Sequence, residues 1–395
     1  MSDDFPCQVT SRFRVLATCA GFEPGYRGGG PVRSLANVVD TASDQVELLV
    51  LTRDRDLGSS TPYSGLSGRW IERGRARVFY LNVRDGLQWL RMVREVRRTR
   101  LDLVYVNSLW SPTFSVLTVL ACRLAVLRAA AILIAPRGEL SPNALKLKAR
   151  KKAMFIKCWA PFLNSMNIYW HASNDREASQ IRSVFPRAHV EVSQNQVSLP
   201  PEPLLASSGS DGPARFIFVS RICAKKNLLL LLRALERVPS PLTLDIYGPQ
   251  EDAKYWERCQ SVMEGMPARV DISYRGVLAP DQVRATFNAY DAFVFPTLDE
   301  NFGHVIAESL SASCPVLCSA NTPWTPVLEA GGGAVVHDLT PQALATEVER
   351  MAVMTTRERL RTREAAGSAY RSWRGQAPDR NILDHMRLRF QALSR

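Results

Sequence analysis

Residues 292–319 read AFVFPTLDENFGHVIAESLSASCPVLCS. An apolar run, AFVFPT (292–297), ends near a proline. HVIAESLSA then has helical spacing, and PVLCS (315–319) is again short, apolar and extended. Two continuous apolar strands joined by a helix form a parallel crossover, which is stable only when both sheet faces are covered. The stretch therefore indicates a doubly wound α/β sheet. Ligands of such sheets lie beyond the carboxyl ends of the strands, so the turn between strand and helix is the place to look for chemistry. That turn and helix hold Glu300, Asn301, Phe302, Gly303, His304 and Glu308.

The same alternation extends outward. RFIFVS (215–220), LTLDIYG (242–248) and VDISYRG (270–276) precede the stretch, and AVVH (334–337) follows it. In the first half, FRVLATCA (13–20), VELLVLT (46–52), ARVFYLNV (76–83), LDLVYVN (101–107), AILIAP (131–136) and NIYWHAS (167–173) alternate with helical segments. Between the halves, LPPEPLLASSGSDGPAR (199–215) is rich in Pro, Ser and Gly and reads as a linker. The expected organisation is α/β throughout: a Rossmann-like domain over 1–200, a linker over 201–213 and a second Rossmann-like domain over 214–375. Residues 376–395 are expected to form a helix packing back on the first domain.

A chain of 395 residues is long enough for two such domains. Its formal charge of +12, 50 basic against 38 acidic residues, implies an anionic partner without choosing among nucleotide, nucleic acid and membrane. Eight cysteines lack a CxxC pair and read as apolar core thiols in a reducing compartment. The acidic start MSDDFPCQVTSR lacks the apolar core of a secretory signal, and 113–134 carries Arg123 and Arg128, so it parses as helix and strand rather than as a membrane span.

At the quoted turn, Gly303 would let an anion approach the backbone where uncapped N–H groups and the helix dipole point outward. Spacing alone leaves open a helix with one dipole-compensating acid and one solvated glutamate. SRICAKKN (220–227) bears on this, because Arg221 and Lys226 also follow a strand and precede a helix. Cations there oppose the dipole unless an anion joins them. Of the two lysines, Lys226 is expected to point inward and Lys225 outward. GYRGGGPVRS (25–34) is a glycine loop after the first strand, either a phosphate lid or a plain flexible loop. Asp54-Arg-Asp56 lacks a nearby histidine, and no resident metal or other cofactor is expected. The segment 141–159 is a basic helix with apolar residues, suited to an anionic bilayer or to water.

These residues resemble the family-4 retaining glycosyltransferases of GT-B architecture, over nearly the whole chain. The resemblance rests on SRICAKKN, on YRGVLAPDQVRATFNAYDAFVFPTLDENFGHVIAE (274–308) and on the glycine loop. PRGELSPNALKLK, WHASNDREASQIR and NTPW (321–324) resemble a bacterial surface-polysaccharide subgroup. The resemblance implies two Rossmann-like domains facing a central cleft and a nucleotide-diphosphate sugar, UDP- or GDP-linked, as donor. Arg221 and Lys226 would bind the diphosphate and Glu308 the ribose. Glu300 would hold the transferred sugar beside Asn301, Phe302 and Gly303. Gly276 and Val277 would lie by the base, and Gly29 and Gly30 would close over the phosphates. Glu300, Arg221 and Lys226 are the catalytic candidates.

The acceptor would be a glycan on a lipid carrier, met in the cytoplasm or at the inner face of the cytoplasmic membrane through 141–159. Departures fall on the acceptor side: Tyr105 and Asn107 replace an H-x-H pair, Arg137 replaces another histidine, and SQNQV (193–197) replaces PNGV. Arg137, Asn107 and His171 are the acceptor-side candidates. Rival readings are an epimerase or phosphorylase of the same architecture, and a non-enzymatic basic module for membranes or nucleic acid. The second would leave the post-strand motifs unexplained, and no nucleic-acid motif accompanies the basic helices.

Overall fold

The computed structural model of the chain describes residues 12–98, 100–146, 149–206, 212–376 and 380–393. It divides into two compact units, Met1–Gln196 with Pro378–Arg395, and Val197–Ala377.

The first unit carries β1 (Phe13–Thr18), β2 (Val46–Arg53), β3 (Trp70–Arg73), β4 (Ala76–Leu81), β5 (Leu101–Asn107), β6 (Ala129–Ala135), β7 (Ile168–Ala172) and β8 (His189–Val192) in the order β3-β4-β2-β1-β5-β6-β7-β8. All pairings are parallel except β3 with β4, where Trp70 faces Phe79. Two hydrophobic layers cover the sheet. Val15 and Ala17 of β1 belong to one, and Leu16 to the other, as the two-residue period of a strand requires. The final helix, Ile382–Leu393, places Ile382, Leu383 and Met386 in the first layer, and Asn381 Nδ2 donates to Val38 O at 3.1 Å.

The second unit carries β9 (Ala214–Val219), β10 (Leu242–Tyr247), β11 (Val270–Gly276), β12 (Ala292–Phe295), β13 (Val316–Ser319) and β14 (Gly333–Val336). The order is β11-β10-β9-β12-β13-β14, wholly parallel. Renumbered within the unit this is 3-2-1-4-5-6, the Rossmann order. The apolar run LLLLLRAL forms the helix Leu228–Leu235, which buries Leu228, Leu231, Leu232 and Leu235 in the unit's core.

Three differences from the sequence reading have physical reasons. The hairpin strand β3 is four half-buried or exposed residues, too short and polar to stand out by pattern. The division falls at Gln196/Val197 rather than after residue 200, because the proline-rich stretch is strapped to the second unit. Leu204 N donates to Ser311 O at 2.8 Å, and Tyr370 Oη donates to Pro200 O at 2.7 Å. Finally, Cys19, Cys259, Cys314 and Cys318 are buried, whereas Cys122 and Cys223 are half-buried. Cys158 is exposed, because it lies on the outward face of the helix Ala149–Asn164; Cys7 lies outside the described residues.

Candidate functional site

In the 3-2-1-4-5-6 sheet the order reverses between β9 and β12, so the loops leaving these two strands run side by side. Hydrogen bonds stitch them together. Leu298 N donates to Lys225 O at 2.9 Å, Thr297 Oγ1 to the same oxygen at 3.2 Å, and Asn227 Nδ2 to Pro296 O at 3.1 Å. Asn227 itself is left-handed (φ 61°), a conformation asparagine tolerates better than most residues, and it ends the short turn Ala224–Lys226.

The result is that Lys226 and Glu300 form an ion pair, each side chain only 12% exposed. Lys226 Nζ also lies 5.2 Å from the Phe295 ring centre, and Thr297 Oγ1 lies 3.3 Å from Glu300 Oε1. Lys225 turns away to Asp299, at 3.5 Å.

Beyond Glu300 the backbone is held firmly. Phe302 O accepts from the buried Trp324 indole, whose ring packs on Phe302 and Trp373. Gly303 (φ 84°) is the N-cap of the helix His304–Ser311, with no side chain capping its first N–H groups. A Cβ there would lie 3.1 Å from Ile306 Cδ1, in a conformation only glycine adopts freely. Asn301 and Glu308 are half-buried, Glu308 about one turn into the helix. Gly276 (φ 83°) ends β11, and its carbonyl accepts from Gly248 N at 2.7 Å; Val277 beside it is exposed. Arg221 does not join the pair: its Nη1 donates to Glu251 Oε2 at 2.8 Å.

In the first unit, Gly29 (φ 67°) caps the helix Gly30–Thr41 and Gly30 opens it. The preceding loop is pinned by Asp56, which accepts from Tyr26 N at 3.1 Å and Arg27 N at 3.4 Å. Asp54 is buried and accepts from Arg55 Nε at 2.9 Å and Ser67 Oγ at 2.8 Å. Both acids of the Asp54-Arg-Asp56 triplet thus hold protein donors.

The acceptor-side candidates converge on Arg137. Its Nε and Nη2 donate to Asn107 Oδ1 at 3.1 and 2.9 Å, Nη2 to Tyr105 Oη at 2.6 Å, and Nη1 to Asn195 Oδ1 at 2.5 Å. Tyr105 Oη lies 2.9 Å from His171 Nδ1, whose other nitrogen lies 2.9 Å from Ser193 O. A carbonyl can only accept, so Nε2 carries the proton and Nδ1 accepts from the tyrosine. Burial, then the Arg137 charge, pushes the His171 pKa down to about 3, and burial pushes Tyr105 up to about 12.

A histidine held neutral in the fold protonates first in the unfolded chain. Its contribution to stability is therefore complete above about pH 6.5 and falls toward pH 3 by about 1.4 kcal/mol per unit. The gap in urea-unfolding free energy between wild type and His171→Asn should narrow by about 3 kcal/mol between pH 6.5 and pH 4. A gap independent of pH would mean that His171 takes up its proton in the fold as readily as in the unfolded chain.

Sequence reasoning missed the braces of this cluster. Glu139 accepts from Ser108 Oγ at 2.8 Å and Leu109 N at 2.6 Å, while Glu177 accepts from Gly138 N and Ser173 N, both at 2.8 Å. The available signal was an acid in each of PRGEL and NDREA directly after a strand.

The family model described as Glycosyl transferases group 1 matches residues 204–368. A sulfoquinovosyl transferase of Arabidopsis thaliana is 29% identical over 113 residues, which is 29% of this chain and 21% of that protein. An O-antigen chain mannosyltransferase B of Escherichia coli is 29% identical over 129 residues, 31% of this chain and 32% of that one. The alignments thus span a fifth to a third of these relatives. The crystal structure of Anabaena HepE in complex with UDP-glucose superposes with a TM-score of 0.69 at 18% identity, covering 91% of this chain and 95% of that one. Residues 204–368 thus form a glycosyl transferases group 1 domain, carried in a chain of GT-B fold.

Proposed function

We propose that this glycosyltransferase moves a sugar from a nucleotide-diphosphate sugar, UDP- or GDP-linked, to a hydroxyl of a glycan acceptor with retention at the anomeric carbon. The observation that carries the reading is the meeting of Lys226 and Glu300 at the strand-order reversal, beside the open N-terminus of the helix His304–Ser311. A lysine, an arginine five residues earlier in the same loop, and the dipole of a helix start without a side-chain cap supply the charge a diphosphate needs. In the proposed step the bond from C1 to the diphosphate oxygen breaks. The acceptor hydroxyl attacks C1 on the same face, and its proton passes to the departing phosphate oxygen.

Lys226, joined by Arg221 once that side chain leaves Glu251, offsets the charge on the leaving group. Glu300 and the backbone of Asn301, Phe302 and Gly303 hold the sugar hydroxyls, and Glu308 the ribose. Gly276 and Val277 flank the base. UDP-glucose in the HepE structure supports the donor class.

An acceptor glycan on a lipid carrier, in surface-polysaccharide assembly, is supported by the name of the mannosyltransferase relative. The helix Ala149–Asn164 exposes Arg150, Lys151, Met154 and Lys157, a composition suited to the anionic inner face of the cytoplasmic membrane. Among the described residues, no helix is long and apolar enough to cross a membrane.

The test is a panel of UDP-, GDP- and ADP-sugars, read by calorimetry and by slow donor hydrolysis, with and without EDTA. One UDP- or GDP-sugar should bind and be hydrolysed with retention, and EDTA should change neither. Absence of binding at millimolar concentration across the panel would overturn the reading. Loss of turnover in EDTA would replace its metal-free form.

A further inference from the structure

Arg137 is an arginine for which the fold supplies only neutral partners. Asn107, Tyr105 and Asn195 each offer it an uncharged oxygen, and among the described residues no carboxylate lies within ion-pair distance of it. Glu139 and Glu177, close in sequence or space, are committed to N–H and hydroxyl donors of the surrounding loops. His171, the other basic group of the cluster, is held neutral.

The chain gives up stability to keep this arrangement. Arg137 is left-handed (φ 55°), which costs a non-glycine residue on the order of 1 kcal/mol or more, and so is Ser108 (φ 108°) after the neighbouring strand. Because Asn107 turns Oδ1 to the guanidinium, its Nδ2 is buried with no hydrogen-bond partner. Such an orphan amide costs about 1–3 kcal/mol. A residue needed only for packing would not require three such concessions.

Position and chemistry agree. Asn107 ends β5, Arg137 lies two residues past β6, and His171 is in β7, so the cluster sits at the carboxyl ends of three adjacent strands. A guanidinium carries five N–H donors. Four are used here, one by Nε, two by Nη2 and one by Nη1, which leaves one Nη1 N–H and the full positive charge on a half-buried group.

We propose that Arg137 receives an oxyanion of the acceptor, a phosphate ester or a carboxylate, so that this transferase selects an acidic acceptor. Tyr105, Asn107 and Asn195 fix the plane of the guanidinium, and His171 is a positioning residue that acts through Tyr105. Naming the ligand as part of an acceptor rests on the function proposed above; the oxyanion site itself does not.

The experiment uses the full chain with the donor site occupied by saturating UDP. Inorganic phosphate and glucuronate are titrated separately by calorimetry. At least one should bind the wild type at millimolar levels, and which one binds distinguishes phosphate from carboxylate. Arg137→Gln should weaken that binding about 10-fold while UDP affinity stays within about twofold; Arg137→Lys, which keeps the charge, should lose less.

Binding of neither probe to the wild type overturns the proposal, and so does equal binding to Arg137→Gln. If Arg137→Gln does not fold, the wild type and Arg137→Lys decide: no probe bound, or binding unaltered by removing the planar guanidinium, counts against the site. If UDP does not bind, GDP takes its place in the same titrations; failure of both would instead sink the donor reading, and the probes would then be titrated without either.

Discussion

Lys226→Ala should lower kcat by about 10²–10³-fold, because it removes the cation paired with Glu300, the residue proposed to hold the sugar, at the strand-order reversal. It should also lower stability by about 1–3 kcal/mol, since Glu300 would keep its burial and lose its counter-ion. The two effects can be separated. Adding Glu300→Gln to Lys226→Ala removes the uncompensated carboxylate, so the unfolding free energy should recover while turnover does not. Urea denaturation together with single-turnover kinetics on the three proteins makes the test. Recovery of activity in the double variant, or a fully active Lys226→Ala, would remove the lysine from the mechanism.

Gly248→Ala should be more damaging to the fold than any other single methyl added near the loops leaving β9 and β12. Gly248 (φ 138°) directly follows β10, and a Cβ there would sit 1.8 Å from Ser220 O and 2.6 Å from Ser220 C. Both atoms are backbone, and neither can step aside. Ser220 N is tied to Tyr247 O at 3.0 Å and Gly248 N to Gly276 O at 2.7 Å. The methyl must therefore push out the exit of β9, which carries Arg221 and Lys226. A loss of about 3–5 kcal/mol is expected, with UDP affinity reduced in whatever fraction still folds. A variant within about 1 kcal/mol of wild type, binding UDP normally, would show that the exit of β9 is more pliable than its hydrogen bonds imply.

Gly248 was invisible in the sequence because a lone glycine after a strand is ordinary; only the parallel pairing of β9 and β10 brings Ser220 against it. The alternation of apolar strands with helices, by contrast, was legible apart from the short edge strands β3 and β8, since its period is set by local sterics and burial on both faces. Lys226 and Glu300 were legible as separate suspects, each following a strand. Their contact depended on β9 and β12 being neighbours, which strand order decides and local pattern does not. Arg221 was read as a partner of Lys226, but Glu251, at the exit of β10, captures it here. The Arg137 cluster gathers residues 105, 107, 137, 171 and 195 from separate segments of the first unit. Single members could be suspected there, but the hydrogen bonds that make them one object follow from the sheet register.

The helix Ile382–Leu393 completes the core of the unit that begins the chain, although all of Val197–Ala377 is translated in between. In covalent terms the second unit is an insert within the first, placed between β8 and the final helix. During synthesis the inserted unit has every residue it needs before its host has its last helix, so the portion emerging earliest from the ribosome is the portion finished latest. Until then β1, β2 and the helix Gly30–Thr41 await Ile382, Leu383 and Met386 with their apolar side uncovered, and that interval is when a chaperone would have most to shield.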